Sequence, residues 1–245
     1  MGRPDPDGAG GAGPVAIHVL TRLVLGGPSR PVLATLGGLE KAGFRPVLVV
    51  GSPGVHEEEC LALLEGYPDV PLLRVPALVR DPSPSQDLTA LSALRAAVRR
   101  LSAAVVHTHT AKAGALGRLA ALAARPRGAA VVHTYHGHSL ARRVSGRRAG
   151  LWRAMERALA RVSDLLLAVS PTQREELARL LGRAAAAKLS VVPLAFDPAA
   201  YSAPDAVEER RFRQLALRPG ARTLVFVGRG VPVKGLDQLA RACRR

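Results

Sequence analysis

The side chains with the most chemical capacity in this sequence are its seven histidines, set in a chain with only 3% aromatic residues. Three of them fall within six positions, His133-Thr134-Tyr135-His136-Gly137-His138. An imidazole at a strand end can hydrogen-bond a sugar hydroxyl or a phosphate, and it titrates near neutrality. A zinc site needs further ligands, and no clustered carboxylate or cysteine stands beside the three. No metal is therefore expected. A second run, His107-Thr108-His109-Thr110-Ala111-Lys112, leads out of one apolar segment and into the next helical one. His107 reads as a core histidine at the strand end. Thr110 and Lys112 fall at the amino end of the helix, where negative charge is favoured. Lys112 reads equally as a ligand for an anionic group or as solvated surface.

Two glycine-bearing turns add a phosphate theme. Gly26-Gly27 sits between a strand and a helix, where backbone without Cβ can approach a phosphate; an ordinary tight turn has the same sequence. Gly228-Arg229-Gly230-Val231-Pro232-Val233-Lys234-Gly235 places a guanidinium and an ammonium around a second turn. Arginine offers a planar fork of donors and lysine a point charge, so Arg229 and Lys234 read as a diphosphate clamp. The order of a Walker loop is absent. Finally, Arg142-Arg143-Val144-Ser145-Gly146-Arg147-Arg148 is a basic loop just past the histidine run. A phosphate-bearing acceptor or an anionic membrane surface suits it.

These side chains need a frame. Apolar runs at residues 15–20, 46–51, 72–75, 103–107, 129–134, 164–170, 189–192 and 223–228 alternate with helical patterns near 31–42, 57–65, 86–101, 112–124, 151–162, 171–181, 206–217 and 235–244. The runs are apolar throughout, as in parallel strands covered on both faces. The expected class is α/β: a doubly wound, Rossmann-like parallel sheet. Ser29 and Ser170 read as helix start signals. In the helix at 151–162, Leu151, Met155, Leu159 and Val162 form the predicted core stripe, with Arg153, Arg157 and Arg161 on a solvated face. Gly114 and Gly117 are expected to let their helix pack closely.

Residues 1–14 are rich in Gly and Pro and read as a disordered tail without the apolar stretch of a signal peptide. Residues 15–195 make one Rossmann-like domain. Residues 196–245 make a proline-rich linker and the beginning of a second, incomplete one. Hydrophobic residues are 48% of the chain, so the core must be built from Ala, Val and Leu. Cys60 and Cys243, the two cysteines, supply no disulfide framework. The formal charge of +16 attracts phosphates, anionic lipid or nucleic acid. Nucleic acid ranks last, because stacking platforms and recognition motifs are lacking. No apolar run is long enough to span a bilayer.

Taken in order, these segments resemble the retaining glycosyltransferases of family 4, which have the GT-B fold. The likeness runs over nearly all of residues 15–245, with HTHTAKAGALGRLAA and VVHTYHGHSL similar to a bacterial subgroup acting on lipid-linked or cell-envelope acceptors. The resemblance implies that His136 is the active-site histidine and that Arg229, Lys234 and Gly27 bind the donor diphosphate. Lys112, Thr110, His138, Arg142 and Arg143 would lie on the acceptor side. It implies a nucleotide-diphosphate sugar as donor substrate, no separate cofactor, and a cytoplasmic enzyme touching the inner membrane face. Leu194-Ala195 replaces the family's Asn-Gly before Asp197, and Gly230 stands where an apolar residue is usual. The family's E-x7-E pair would fall beyond Arg245, so the chain is expected to be a fragment or an inactive partial copy. A non-catalytic acceptor-binding module and a sugar-nucleotide epimerase are the alternatives.

Overall fold

The computed structural model describes Pro4 and residues 13–54, 57–124, 128–137, 147–194, 205–215, 224–228 and 234–243. The chain divides into two compact units, Met1–Phe196 and Asp197–Arg245.

The first unit is built on a seven-stranded parallel sheet in the order β3-β2-β1-β4-β5-β6-β7. The strands are β1 (Val15–Leu20), β2 (Arg45–Val50), β3 (Leu72–Arg74), β4 (Val105–His109), β5 (Ala130–Tyr135), β6 (Leu165–Ala168) and β7 (Leu189–Val191). Between them run α1 (Ser29–Lys41), α2 (Pro84–Arg100), α3 (Ala111–Ala124), α4 (Arg147–Val162), α5 (Pro171–Leu181) and the short α6 (Arg183–Ala186). This is the doubly wound arrangement expected from the sequence. The chain moves outward from β1 to β3, then returns to lay β4 on the other side of β1. The strand order therefore reverses between β1 and β4, and the carboxyl ends of those two strands flank the crevice where open α/β sheets bind ligands.

Strand alternation sorts the core into two layers. Ile17, Val19, Val47, Val49, Val106 and Val131 point to one face, where they pack against α2 and α3. Leu20, Leu48 and Val50 point to the other and meet Val32, Leu33 and Leu36 of α1. Each such side chain taken fully from water contributes roughly 1.5–3 kcal/mol, so aliphatic burial alone can hold this sheet without aromatic residues. Gly114 and Gly117 carry α3 onto the sheet: a Cβ at Gly117 would lie 2.6 Å from Thr108 Cγ2, and one at Gly114 would lie 2.5 Å from His133 Cε1.

Several local expectations need correction. The helix predicted at 57–65 is instead a single 3-10 turn, Leu61–Leu64. Ser29 does not cap α1; its hydroxyl donates to the Val24 carbonyl, and Pro28 occupies the cap position. Ser170 does cap α5, accepting from the Gln173 N–H at 3.2 Å. In α4 the predicted core stripe is wrong in part. Leu151 is 76% exposed and Met155 41%, whereas Glu156 is 1% exposed. The helix is rotated so that a carboxylate, not a methionine, faces inward, because a buried cation awaits it.

The second unit contains α7 (Ala206–Leu215) and α8 (Leu236–Ala242). Residues 224–228, predicted within a strand, are exposed and carry no strand pairing. The predicted tail lies almost wholly outside the described residues.

Candidate functional site

The register of β1, β4 and β5 gathers imidazoles at the sheet's carboxyl edge. His18 pairs with His107 across β1–β4. His109 pairs with Thr134 across β4–β5. Because alternate residues share a face, His18, His107, His109 and Thr134 point the same way, and His136 follows just past β5. The resulting cluster has ring centroids 4.6 Å apart for His18–His107, 4.2 Å for His107–His109 and 5.1 Å for His109–His136. Two imidazole–imidazole hydrogen bonds connect it. His18 Nδ1 lies 3.1 Å from His109 Nε2, and His109 Nδ1 lies 2.9 Å from His136 Nε2. His107 is fixed separately, its Nε2 lying 2.7 Å from Thr134 Oγ1. His18 Nε2 and His136 Nδ1 have no partner among the described residues.

Burial holds these rings neutral. Desolvation pushes His18 down to about 3 and His136 down to about 4. His107 and His109 are lowered well below the ordinary imidazole value by burial first and then by the other histidines. The physical cause is direct: an imidazolium here would lose its water and face its own kind.

On the opposite face of β5 the chemistry is ionic. Arg118, 0% exposed in the middle of α3, pairs with Glu156 through its Nη2 alone, which donates to both carboxylate oxygens at 3.1 Å. Its Nε donates to the Gly114 carbonyl at 2.7 Å. Tyr135 donates its hydroxyl to Glu156 Oε2 at 3.0 Å, and burial followed by that carboxylate's charge holds the phenol far above its ordinary range. His133 stands beside this group, its ring edge-on to Tyr135 and its Nδ1 2.9 Å from Thr108 Oγ1.

The turn from β4 into α3 is strained and already occupied. Thr110 has φ 64, a left-handed conformation that a β-branched residue rarely adopts. Its hydroxyl meets Thr21 Oγ1 at 2.6 Å, and Thr21 in turn accepts from the Ala113 N–H at 3.2 Å. Thr21 thereby caps α3 from the end of β1. Lys112, a candidate anion ligand, points elsewhere: its ammonium pairs with Asp87 of α2 at 2.5 Å and donates to the Asp81 carbonyl. Of the residues predicted from sequence, the described structure thus brings His136 and Thr110 to the same sheet edge. Gly27 lies before α1 with open space where a Cβ would be. Lys234 is exposed in the second unit, immediately before α8. Arg229, His138, Arg142 and Arg143 lie outside the described residues.

Sequence reasoning missed more than it found here. His18 sits in the middle of a strand with nothing around it to mark a site. Arg118 hides in an alanine-rich helix. Arg153 and Arg157, exposed as a solvated face should be, also join Trp152, Gln173 and Arg179 in lining a cleft of about 410 Å3 between α4 and α5 at the end of β5, which the sequence did not announce. Arg153, Arg157 and Arg179, the last paired with Glu175 at 3.3 Å, line that cleft with the carboxylate of Glu176.

His18, His107 and His109 also bring one nitrogen each within 4.8 Å of the others, close enough for a metal ion to gather. This is not the trio weighed from sequence. The three contribute no negative charge, and as neutral imidazoles they are in the form that ligates a metal.

The sequence matches the model of glycosyltransferase family 4 over residues 25–200. None of the curated proteins matches it significantly. Among solved structures, sucrose-phosphate synthase from Thermosynechococcus elongatus is similar in fold, with TM-score 0.70, 17% identity, and coverage of 94% of this chain and 59% of the synthase. A glycosyltransferase from Rickettsia africae gives TM-score 0.62 at 14% identity, covering 85% of this chain and 51% of its own. A UDP-N-acetylglucosamine 2-epimerase from Listeria monocytogenes gives 0.51 at 13%, covering 73% and 44%. The chain therefore spans between 44% and 59% of the length of these three structures.

Proposed function

Because this chain belongs to glycosyltransferase family 4, we propose that it supplies the acceptor-side lobe of an enzyme that moves a sugar from a nucleotide diphosphate to an acceptor, with retention at the sugar carbon. The observation that carries this reading is His136: a neutral imidazole at the carboxyl end of β5, beside the β1–β4 crevice, with one ring nitrogen uncommitted. In the proposed reaction the bond from the sugar's anomeric carbon to the diphosphate oxygen breaks. The acceptor oxygen bonds that carbon on the same face, and the acceptor's proton passes to the departing diphosphate. His136 holds the transferring sugar through an uncharged hydrogen bond. Arg229 and Lys234 stabilise the diphosphate as its charge develops, the largest contribution expected of the protein. Gly27, with open space where a Cβ would be, lets the α1 turn approach a phosphate.

For the acceptor, the cleft between α4 and α5 favours a phosphate-bearing or lipid-linked molecule. Indole and aliphatic surface suits its carbon skeleton, and Arg153, Arg157 and Arg179 suit its anionic group. Leu151 and Met155, exposed on the same helix, suit contact with an anionic membrane surface, which would place the enzyme at the inner membrane face. No helix among the described residues is long and apolar enough to cross a membrane.

The test combines calorimetric titration with uridine, guanosine and adenosine diphosphates, an Arg229→Ala control, and product analysis with labelled nucleotide sugars. Loss of one charge-assisted hydrogen bond should weaken diphosphate binding about tenfold or more. Binding without transfer or hydrolysis would instead mark a non-catalytic module. The fold likeness to the epimerase favours a second reading, distinguished by a labelled donor returned with one inverted sugar centre and no transfer.

A further inference from the structure

We propose that His18, His107 and His109 form a binding site for one divalent transition-metal ion, Zn2+ by the chemistry of its ligands, with a fourth coordination position open toward the β1–β4 crevice. The site goes beyond the sugar-transfer reading and does not depend on it.

The backbone supplies the convergence. His18 and His107 are register partners on neighbouring parallel strands. His107 and His109 lie two positions apart on one strand and so share a face. Each ring brings one nitrogen within 4.8 Å of the others. All three rings are buried, at 0%, 8% and 2% exposed. No loop has to fold over to complete the set, because β1 and β4 lie in the middle of the sheet.

The distances suit a small ion. Two nitrogens bound to one tetrahedral Zn2+ at about 2.0–2.1 Å lie roughly 3.3 Å apart. His18 Nδ1 and His109 Nε2 are already 3.1 Å apart. The third nitrogen, from His107, is within 4.8 Å, a gap that side-chain torsions close. A ligating imidazole ordinarily has its other nitrogen held by a hydrogen bond. His109 is held through Nδ1, 2.9 Å from His136 Nε2, and Thr134 Oγ1 orients His107 at 2.7 Å.

His18 is the most telling of the three. It stands between Ile17 and Val19 in an aliphatic strand, and its Nε2 has no partner among the described residues. Hydrogen bonding to His109 alone leaves such a ring under-satisfied, and ligation through Nδ1 offsets that cost. Three imidazoles also select the ion. They offer no oxygen, which excludes Mg2+ and Ca2+ and favours Zn2+. Because the three carry no negative charge, the fourth ligand supplies it: an anionic oxygen entering by the crevice, or a bound water that gives up its proton.

Calorimetric titration of Zn2+ into the full chain, first stripped with a chelator, reads the site without substrate or turnover. Its result therefore stands apart from the fate of the transfer reading. One Zn2+ per chain is expected. With circular dichroism confirming that each variant folds, His107→Gln and His109→Gln should each weaken binding about a hundredfold or more, and Thr134→Val about tenfold. His133→Gln, on the other face of β5, should leave it unchanged. Co2+ added to the unsubstituted chain requires no variant to fold, and should give the intense visible absorption of four-coordinate cobalt. The proposal is overturned by the absence of stoichiometric uptake or by the weak spectrum of six-coordinate cobalt. It is equally overturned by uptake that survives replacement of His107 and His109 together.

Discussion

β5 separates two buried polar groups that solve the same problem by different means. On one face, His18, His109 and His136 pass hydrogen bonds along a line of uncharged rings. On the other, Arg118, Glu156 and Tyr135 form a charged knot in which the carboxylate accepts from one guanidinium nitrogen with both oxygens and from a phenol with one of them. The charged knot has one sensible proton arrangement, and breaking it leaves an unpaired buried charge. The neutral line has two arrangements, and it is lost when any ring gains a proton. A buried ion pair therefore fixes structure, tying α3 to α4, while a chain of imidazoles can be biased from either end. His133 lies on the ionic face, with Tyr135 on one side of its ring and Thr108 on the other.

Acid gives the largest separation of the two. The native pKa values of His18, His107, His109, His133 and His136 all lie below the ordinary 6.5. The unfolded chain thus binds protons that the folded chain refuses. The stability due to neutral rings is complete above pH 6.5 and drains as pH falls toward the native values. By pH 5 His18 and His136 have each given up about 2 kcal/mol, and His107, His109 and His133 add to the loss in the same direction. Urea unfolding followed by circular dichroism should show a midpoint falling steeply between pH 7 and pH 5, and a flat profile would contradict the neutral cluster.

Next in size, Glu156→Ala should cost about 3–5 kcal/mol at neutral pH by stranding Arg118. Glu156→Gln, which retains an acceptor for the guanidinium and Tyr135, should cost less than Glu156→Ala. Equal losses would mean that packing rather than charge governs the knot. Gly114→Ala comes third, at about 1–3 kcal/mol, because the new methyl group meets the pinned ring of His133. Its urea midpoint should fall further than that of Gly38→Ala, a helical glycine with open space around its Cβ. Ser170→Ala, remote from both groups, should cost only about 1 kcal/mol through loss of the α5 cap. That sets the scale of an ordinary local defect.

Much of the frame was legible from the order of residues, because it depends on local pattern. Continuous Val and Leu runs announced buried parallel strands, and β1 falls on the predicted bounds. The histidine cluster was legible only in part, where its members lie close in sequence, as at His107 and His109. His18 lies 91 positions from its partner His109, and only the β1–β4 register reveals their meeting. The orientation of α4 was misjudged for a related reason. A carboxylate on a helix is ordinarily placed outside, yet Glu156 points inward because Arg118 is buried opposite it. Residues 224–228 show the converse: an apolar run has the composition of a strand, but strand structure needs a neighbour to take its backbone hydrogen bonds.

The poverty in aromatic residues has an optical consequence. Trp152 is the only tryptophan in the sequence, and it lines the cleft between α4 and α5. All indole emission from this protein therefore originates at one address. Its colour and intensity track the polarity and occupancy of the space beside Arg153 and Arg157, with no label to attach and no second indole to subtract.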